Sequence, residues 1–413
     1  MQVRRTERIR IKFDKSISNF CHIAKNLYNE ANYIVRQEFI NNRKWIRYNE
    51  LYKMLKDSDN FKRLSSHTSQ QILRLLDKNW SSFFRAIKEW SKNSNKFNGR
   101  PSLPKYKKKN GEFMLIFTNQ QCRINNGWLK FPKKFNLKFK TRIKEGLQQV
   151  RIIPKGIGYL IEIIYKKTIS AINRESNRVI GIDIGLNNLV TIVNNIGLRP
   201  IVVKGGILKS INQHFNKTKS ELQSIYDKQK IKYGKKQRLL ESKRYWKIHD
   251  YFHKLSKFII DYCKQNNIDT VILGWNKNMK QRIRLGKRTN QSFVLIPFYQ
   301  LRNQIKYKCE DARLRYIETD ESYTSKCSFL DNEPIRKHEK YKGERIKRGL
   351  YRTAKGKLIN ADVNAAYNII RKAIPKMLNG TDGIEGVGLH PLRCNFLRRG
   401  ENNTNLKHFG DFA

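Results

Sequence analysis

The stretch Val179–Val193, Val-Ile-Gly-Ile-Asp-Ile-Gly-Leu-Asn-Asn-Leu-Val-Thr-Ile-Val, sets the tightest limit on what this chain can become. Two apolar runs flank a turn that begins at Gly185, the pattern of a buried β-hairpin. A single carboxylate, Asp183, interrupts the first run. An ionised group in such surroundings needs a partner, and for a carboxylate at the centre of a sheet that partner is commonly a hard divalent cation. The alternative is an aspartate that caps the hairpin turn, and the stretch alone leaves both open.

Charge narrows the class of partner. Lysine and arginine number 86 against 34 acids, a formal net charge of +52 spread along the whole length. So much like charge disfavours a compact state unless a polyanion neutralises it, and nucleic acid is the obvious one. A membrane surface would attract it too, but no apolar run approaches the ~20 residues of a spanning helix. The start, Met1-Gln-Val-Arg-Arg-Thr-Glu-Arg, lacks the apolar core of a signal peptide, so the expected location is cytoplasmic, associated with the nucleoid. With 413 residues, 39% of them hydrophobic, the chain has material for two or three domains with real cores. Cys21, Cys122, Cys263, Cys309, Cys327 and Cys394 form no Cys-x-x-Cys pair, which points to free thiols and excludes a four-cysteine zinc site on spacing.

Residues 3–13 alternate basic and apolar late in the run (Ile9, Ile11, Phe13), the period of a strand with one basic face. From Phe20 the period becomes helical, through Ile23, Leu27, Ala31 and Ile34. A second stripe follows at Ile72, Leu76, Trp80, Phe83, Ile87 and Trp90, which reads as a helix–helix core in preference to a base-stacking face. Gly99-Arg-Pro-Ser-Leu-Pro-Lys-Tyr-Lys-Lys-Lys109 ends the helical pattern, because its two prolines force extended backbone. Residues 113–117, 128–131, 149–153 and 158–165 then read as short strands of a β-barrel. The opening strand has no local partner and pairs into that barrel, which makes the helical unit an insertion. After the 179–193 hairpin and a short run at 200–203, residues 207–267 read as one long basic helical region. Residues 268–274 form a buried strand, 293–308 a helix, and 315–321 a strand ending in acids. Asn360-Ala-Asp-Val-Asn-Ala-Ala-Tyr-Asn-Ile-Ile-Arg371 is a helix with an Asn cap and Asp362 in its first turn. The fold class expected is multidomain α+β: a barrel with a helical insertion, followed by an α/β domain.

Two-metal phosphodiester cleavage needs three or four carboxylates converging on two ions about 4 Å apart. Asp183 and Asp362 are plausible members, although Asp362 taken alone is better explained as charge complementarity at a helix N-terminus. At Gly181-Ile-Asp-Ile-Gly-Leu-Asn-Asn-Leu, Gly99-Arg-Pro-x-x-Pro-Lys-Tyr-Lys, Tyr323-Thr-Ser-Lys and Asn360-Ala-Asp-Val-Asn-Ala-Ala-Tyr-Asn-Ile the chain resembles the TnpB (OrfB) family of transposon proteins. Through it the chain resembles the compact type V CRISPR effectors. The resemblance covers most of the chain in the family's order. It implies an RNA-guided DNA endonuclease of an insertion sequence, in which base pairing to a guide supplies sequence specificity. It implies a wedge-like barrel over 1–14 and 95–170 and a helical recognition insertion over 15–94. A RuvC-like, ribonuclease-H-like nuclease domain over 178–374 and a flexible basic tail over 375–413 complete the arrangement. Partners implied are a guide RNA and double-stranded target DNA, with Mg2+ or Mn2+ as cofactor, no membrane, and a monomer as the acting form.

Two departures from the family pattern stand out. The middle glutamate usually closes the strand that here reads Val271-Ile-Leu-Gly-Trp275, and Gly274 occupies its place. Glu321, at the end of the following strand, is the expected replacement, so that Asp183, Glu321 and Asp362 form the catalytic and metal-binding set, with Asp320 and Glu318 as substitutes. The family's zinc ribbon is reduced to Cys327, and one thiolate, even with His338, makes no structural zinc site. A basic, metal-free loop over 322–358 is expected instead. Gln70, Gln71, Arg74 and Lys78, with Lys105, Tyr106 and Lys107 of the linker, are candidate nucleic-acid contacts, although lysine runs also make ordinary solvated faces. Two alternatives remain: a guided DNA-binding repressor that lost cleavage with its glutamate, and a DNA transposase accessory protein acting without RNA.

Overall fold

A computed structural model describes residues 2–170, 177–277, 286–378, 388 and 390–394. The architecture is multidomain α+β, and the chain divides into two compact units, Met1–Thr168 and Ile169–Ala413. No helix among the described residues is long and apolar enough to cross a membrane.

The first unit opens with β1 (Gln2–Lys12), followed by α1 (Lys15–Asn42), α2 (Tyr48–Leu55), α3 (Asp59–Lys62) and α4 (Ser66–Lys92). Asp14 caps α1, its carboxylate accepting from the Ile17 amide at 2.9 Å. The strands β2 (Leu115–Thr118), β3 (Arg123–Asn125), β4 (Trp128–Lys130), β5 (Lys138–Lys140), β6 (Leu147–Lys155) and β7 (Gly158–Thr168) follow. They hydrogen-bond as two sheets, β1-β7-β6-β2 and β3-β4-β5. β1 pairs antiparallel with β7 along its whole length, from Gln2 opposite Thr168 to Lys12 opposite Gly158, so α1 to α4 interrupt the strands in sequence. The β3–β4 hairpin turns at Asn126 and Gly127, both at positive φ as a type I′ turn requires. One core unites helices and sheets. The aromatic stripe of α4 belongs to it: Trp80 is fully buried, its indole donates to Asn32 at 3.0 Å, and Phe39 meets it edge-on.

The second unit is built on a six-stranded sheet of order β12-β11-β8-β9-β10-β16. Its members are β8 (Val179–Ile184), β9 (Asn188–Asn194), β10 (Ile201–Lys204), β11 (Thr270–Gly274), β12 (Arg315–Thr319) and, numbered last in the chain, β16 (Leu392–Cys394). β8 to β10 form an antiparallel meander, while β11 and β12 run parallel to β8. The region read as one helix is two, α5 (Gly206–Lys228) and α6 (Lys235–Gln265). α7 (Lys287–Val294) and α8 (Phe298–Asp311) precede β12, and Pro297 sets the start of α8 five residues later than periodicity indicates. A small sheet, β13 (Glu344–Lys347), β14 (Leu350–Arg352) and β15 (Leu358–Asn360), leads into α9 (Ala361–Ala373). Of the tail expected to be flexible, residues 379–387, 389 and 395–413 lie outside the described residues, whereas Leu392–Cys394 pair in parallel with β10.

Alternation along β8 sorts the two faces. Ile180, Ile182 and Ile184 enter the core shared with α6 and α8, while Val179 enters the core under α9. Gly181 and Asp183 therefore share the α9 face. A Cβ at Gly181 would stand 2.6 Å from the Ala366 carbonyl oxygen, so the helix backbone rests directly on the strand.

Candidate active site

Asp362 reaches Asp183 by simple geometry. Ala366 lies over Gly181; one helical turn back is Asp362, and two strand residues forward is Asp183, steps of about 6 Å each. Asn360 fixes the helix start, its side-chain oxygen accepting from the Asp362 and Val363 amides at 3.1 and 3.2 Å. At the start of β9, Asn188 donates to one oxygen of Asp362 and accepts from Lys204 at 3.2 Å. Arg345 of β13 reaches the other oxygen of Asp362 at 3.4 Å.

Glu321 follows β12, and its carbonyl accepts from the Thr324 hydroxyl at 2.8 Å and the Thr324 amide at 3.2 Å. That turn is tied to α9. Asn368 donates to the carbonyls of Thr324 and Cys327, both at 2.8 Å, and Asn364 donates to Cys327 at 2.9 Å and accepts from the Phe329 amide at 2.9 Å. The two buried asparagines, one turn apart, thus hold the segment after Glu321 on the helix that carries Asp362.

Electrostatics join the three carboxylates. Burial pushes the Asp183 carboxyl up to about 8, and the charges of Asp362 and Glu321 add to the effect, while an Ile184 backbone bond and Arg345 oppose it. Glu321 is raised as well, by burial and by Asp320. The substitute acids are engaged elsewhere: Glu318 pairs with Arg302 at 2.7 Å, and Asp320 accepts from Lys372 at 3.0 Å and Ser322 at 2.9 Å.

Gly274 continues the register in which Leu273 lies beside Ile182, which sets it next to Asp183, and it pairs with Thr319 of β12. A Cβ there would collide with Ile369 Cδ1 of α9. The position expected to carry an acid is a second point of close helix packing.

The donor set fits a hard divalent cation in its chemistry: three carboxylates, one of them raised by burial and further by the other two, define a field that such an ion relieves. Its geometry is not assembled, because Arg345 and Asn188 take up the oxygens of Asp362, and among the described residues no group of three His, Cys, Asp or Glu side chains stands ready to hold a metal. Within the segment 322–358, the Cys327 thiol donates to the Pro334 carbonyl at 3.4 Å. The buried Glu333 carboxylate accepts from the amides of Ser328 at 2.7 Å and Lys342 at 2.8 Å, cross-linking the segment.

The proposed nucleic-acid contacts lie in the first unit. Gln70 and Gln71 are half-buried, while Lys78 and Arg74 are exposed, Arg74 over the Tyr48 ring at 4.2 Å. The 104–111 linker is strapped along α1: Lys25, Asn29, Asn32 and Arg36 donate to the carbonyls of Lys109, Lys107 and Pro104 at 2.7 to 3.0 Å. Lys105 and Tyr106 face solvent on that strap, whereas Lys107 is half-buried over the rings of Tyr28 and Phe113 and its ammonium is lowered by burial. Sequence reasoning missed Asn188, Arg345, Asn364 and Asn368. The two helix asparagines had a legible signal, polar residues four apart on a face otherwise apolar; Arg345 had none.

Residues 162–280 match the family described as a probable transposase, OrfB of IS605 type, and residues 298–369 match a Cas12f1-like TNB domain. A TnpB-like protein, ORF457, of Acidianus two-tailed virus is 24% identical over 412 residues, spanning 89% of this chain and 85% of that protein. The CRISPR-associated endodeoxyribonuclease Cas12f1 of Sulfoacidibacillus thermotolerans is 30% identical over 128 residues, 30% of this chain and 27% of that one. Among solved structures, a Cas12f1–sgRNA–target DNA complex aligns over 91% of this chain and 100% of its own at 16% identity, with a TM-score of 0.37. The mini-RNA-guided endonuclease CRISPR-Cas_phi3 aligns over 90% and 92% at 11% identity, with a TM-score of 0.41.

Proposed function

The chain belongs to the TnpB/Cas12f-like family of transposon-encoded nucleases, and from that premise we propose that it is an RNA-guided DNA endonuclease with its active site at Asp183, Glu321 and Asp362. The observation that carries this reading is the raised carboxyl of the half-buried Asp183, on the α9 face of the sheet, which feels the charge of two further acids drawn from distant parts of the chain. The strand order β12-β11-β8-β9-β10, three antiparallel strands and two parallel ones, supports assigning 178–374 to the ribonuclease-H-like, RuvC-like class. In the same reading, 1–14 with 95–170 and the insertion 15–94 serve guide and target binding. Gln70, Gln71, Arg74, Lys78, Lys105 and Tyr106 are contacts, and Lys107 positions the strap.

Mg2+ or Mn2+, when bound, supplies an activated water and stabilises the leaving oxygen of the cleaved phosphodiester. Asp183, Glu321 and Asp362 would hold it. Asn188 orients the Asp362 carboxylate and is itself held by Lys204. Arg345 lies 3.4 Å from Asp362 and offsets its charge; with a cation held by the acids, its exposed guanidinium would be available to a substrate phosphate. Asn364 and Asn368 keep Glu321 in register with Asp362.

The test is expression with native flanks, sequencing of the RNA that co-purifies, and cleavage of a guide-matched plasmid by wild type and by Asp183→Ala, Glu321→Ala and Asp362→Ala. Guided cleavage lost in all three variants supports the reading. Full activity of Glu321→Ala removes that residue from the site, bound RNA without cleavage favours the repressor, and no bound RNA sinks both.

A further inference from the structure

A cavity of about 890 Å3 opens in the first unit between β1 and the small sheet β3-β4-β5, well away in sequence from the acids. Its size is that of a site for a small organic ligand or one nucleotide. Strand alternation makes its surroundings basic. β1 turns Ile9 and Ile11 toward the core and exposes Arg4, Arg8, Arg10 and Lys12. β3, β4 and β5 turn Ile124, Leu129 and Phe139 to the core, which leaves Arg123, Lys130, Lys138 and Lys140 outward. One aromatic, the half-buried Trp128, stands among them, with the Lys138 ammonium 4.3 Å and the Lys140 ammonium 5.4 Å from its ring centre.

The groove is braced from its floor. Glu7 accepts from the Thr141 hydroxyl and from the Arg142 amide at 3.3 Å, so the one acid lining the cavity is committed to joining its two walls. Arg8 is anchored by Glu162 at 2.9 Å. A cationic, braced cleft with a tryptophan at one wall matches an unpaired nucleotide in both of its chemistries: phosphates for the arginine and lysine side chains, and a flat base for the indole. Exposed lysines over a tryptophan interact with it more weakly than a stacked base does, and their flexible stems let the ammonium groups move to the flanking phosphates.

We infer that the groove between β1 and the β3-β4-β5 sheet binds a single-stranded segment of nucleic acid, one base stacking on Trp128 while Arg10 and Lys140 hold the adjoining phosphates. The inference stands on the cavity and its charge, and does not require that the chain cut DNA.

The test is photo-cross-linking of the full chain, without metal, to decamers of oligothymidylate and oligouridylate carrying a single 5-iodouracil, with peptide mapping by mass spectrometry. A cross-link within residues 123–142 at Trp128 is expected. Arg10→Ala/Lys140→Ala, two exposed positions, should lower its yield at least about fivefold and reduce the salt dependence of oligonucleotide binding by about one phosphate contact. Trp128→Phe should retain binding that Trp128→Ala loses about tenfold. The oligomer with the higher yield identifies RNA or DNA as the source. Cross-links that map only elsewhere, or a yield unchanged in the double variant, overturn the inference. Should Trp128→Ala fail to fold, the double variant decides. Cleavage is not an arm of this experiment, so a failed nuclease reading and a failed groove are told apart.

Discussion

Replacing Asp183 by Asn should make the metal-free protein more stable, an outcome opposite to that of most substitutions of a buried polar residue. The carboxyl is pushed up to about 8 from an ordinary 3.8, first by burial and then by Asp362 and Glu321. Between those two pH values the folded chain holds a proton that the unfolded chain has shed. Stability is therefore fully present below pH 3.8 and falls as pH rises through about 8. At 1.36 kcal/mol per pKa unit the complete effect is on the order of 5 kcal/mol. The Asp183 side chain is only half-buried, and solvent screening reduces the expected gain to about 1–2 kcal/mol.

Asparagine keeps the acceptor for the Ile184 amide and the shape of the group, and removes only the charge. In EDTA at pH 8, Asp183→Asn should melt roughly 2–8 °C above wild type, given about 2–4 °C per kcal/mol for a unit of this size. Toward pH 5 the gap between the two melting temperatures should narrow, because the folded wild type is then protonated at the same position, and it should close only near pH 3.8, where the unfolded chain takes up the proton too. Mg2+ should raise the melting temperature of wild type and leave that of Asp183→Asn nearly unchanged. Scanning fluorimetry across pH 5–9 with and without Mg2+ reads all three effects. A variant that melts at or below wild type at pH 8, or gains as much from Mg2+ as wild type does, refutes the shared-charge reasoning.

Other substitutions test the packing that builds the site. Gly274→Ala should cost about 1–3 kcal/mol by overpacking against Ile369, and Ile369→Val in the same chain should recover part of it; urea unfolding of single and double variants measures both. Asn368→Ala removes the side-chain donor to the Thr324 carbonyl and one of the two to the Cys327 carbonyl, which keeps Asn364, so a loss of about 1–3 kcal/mol should accompany faster proteolysis near Glu321. Glu333→Ala should leave the buried Ser328 amide unpaired, release the Lys342 amide to solvent and open residues 328–358 to protease, and EDTA should leave the wild-type cleavage pattern unchanged.

Elements carried by a regular period were legible in the sequence. The β8–β9 hairpin, the stripe of α4 and the capped α9 each follow from apolar spacing and a cap within one local segment. The α5–α6 break was not, because both halves carry the same basic, sparsely apolar pattern and periodicity gives no signal where one helix stops. Asp183 and Asp362 were legible as acids placed where acids need a reason. Arg345 was invisible because it lies in a run of similar basic residues, and only the return of β13 to the N-terminus of α9 gives it a partner.

Gly274 was noticed as a missing acid, but what it does depends on a helix that lies almost a hundred residues further along. Glycines at 181 and 274 lie under α9: Gly181 lets the helix backbone approach β8 to a distance that a side chain would forbid, while Gly274 leaves room for the Ile369 side chain. That close approach carries Asp362 down to the level of Asp183. An acid at 274 would require the Ile369 side chain, which meets the Cβ position, to move aside. An acid beyond the end of β12 meets no such obstacle. Glu321 sits past the last paired residue, Thr319, on a turn that Asn364 and Asn368 bind to α9. On the proposed assignment of Glu321 to the site, the glycine in the strand and the glutamate after the next one are linked through their packing against α9. Changing either alone should disturb the site more than changing both with Ile369.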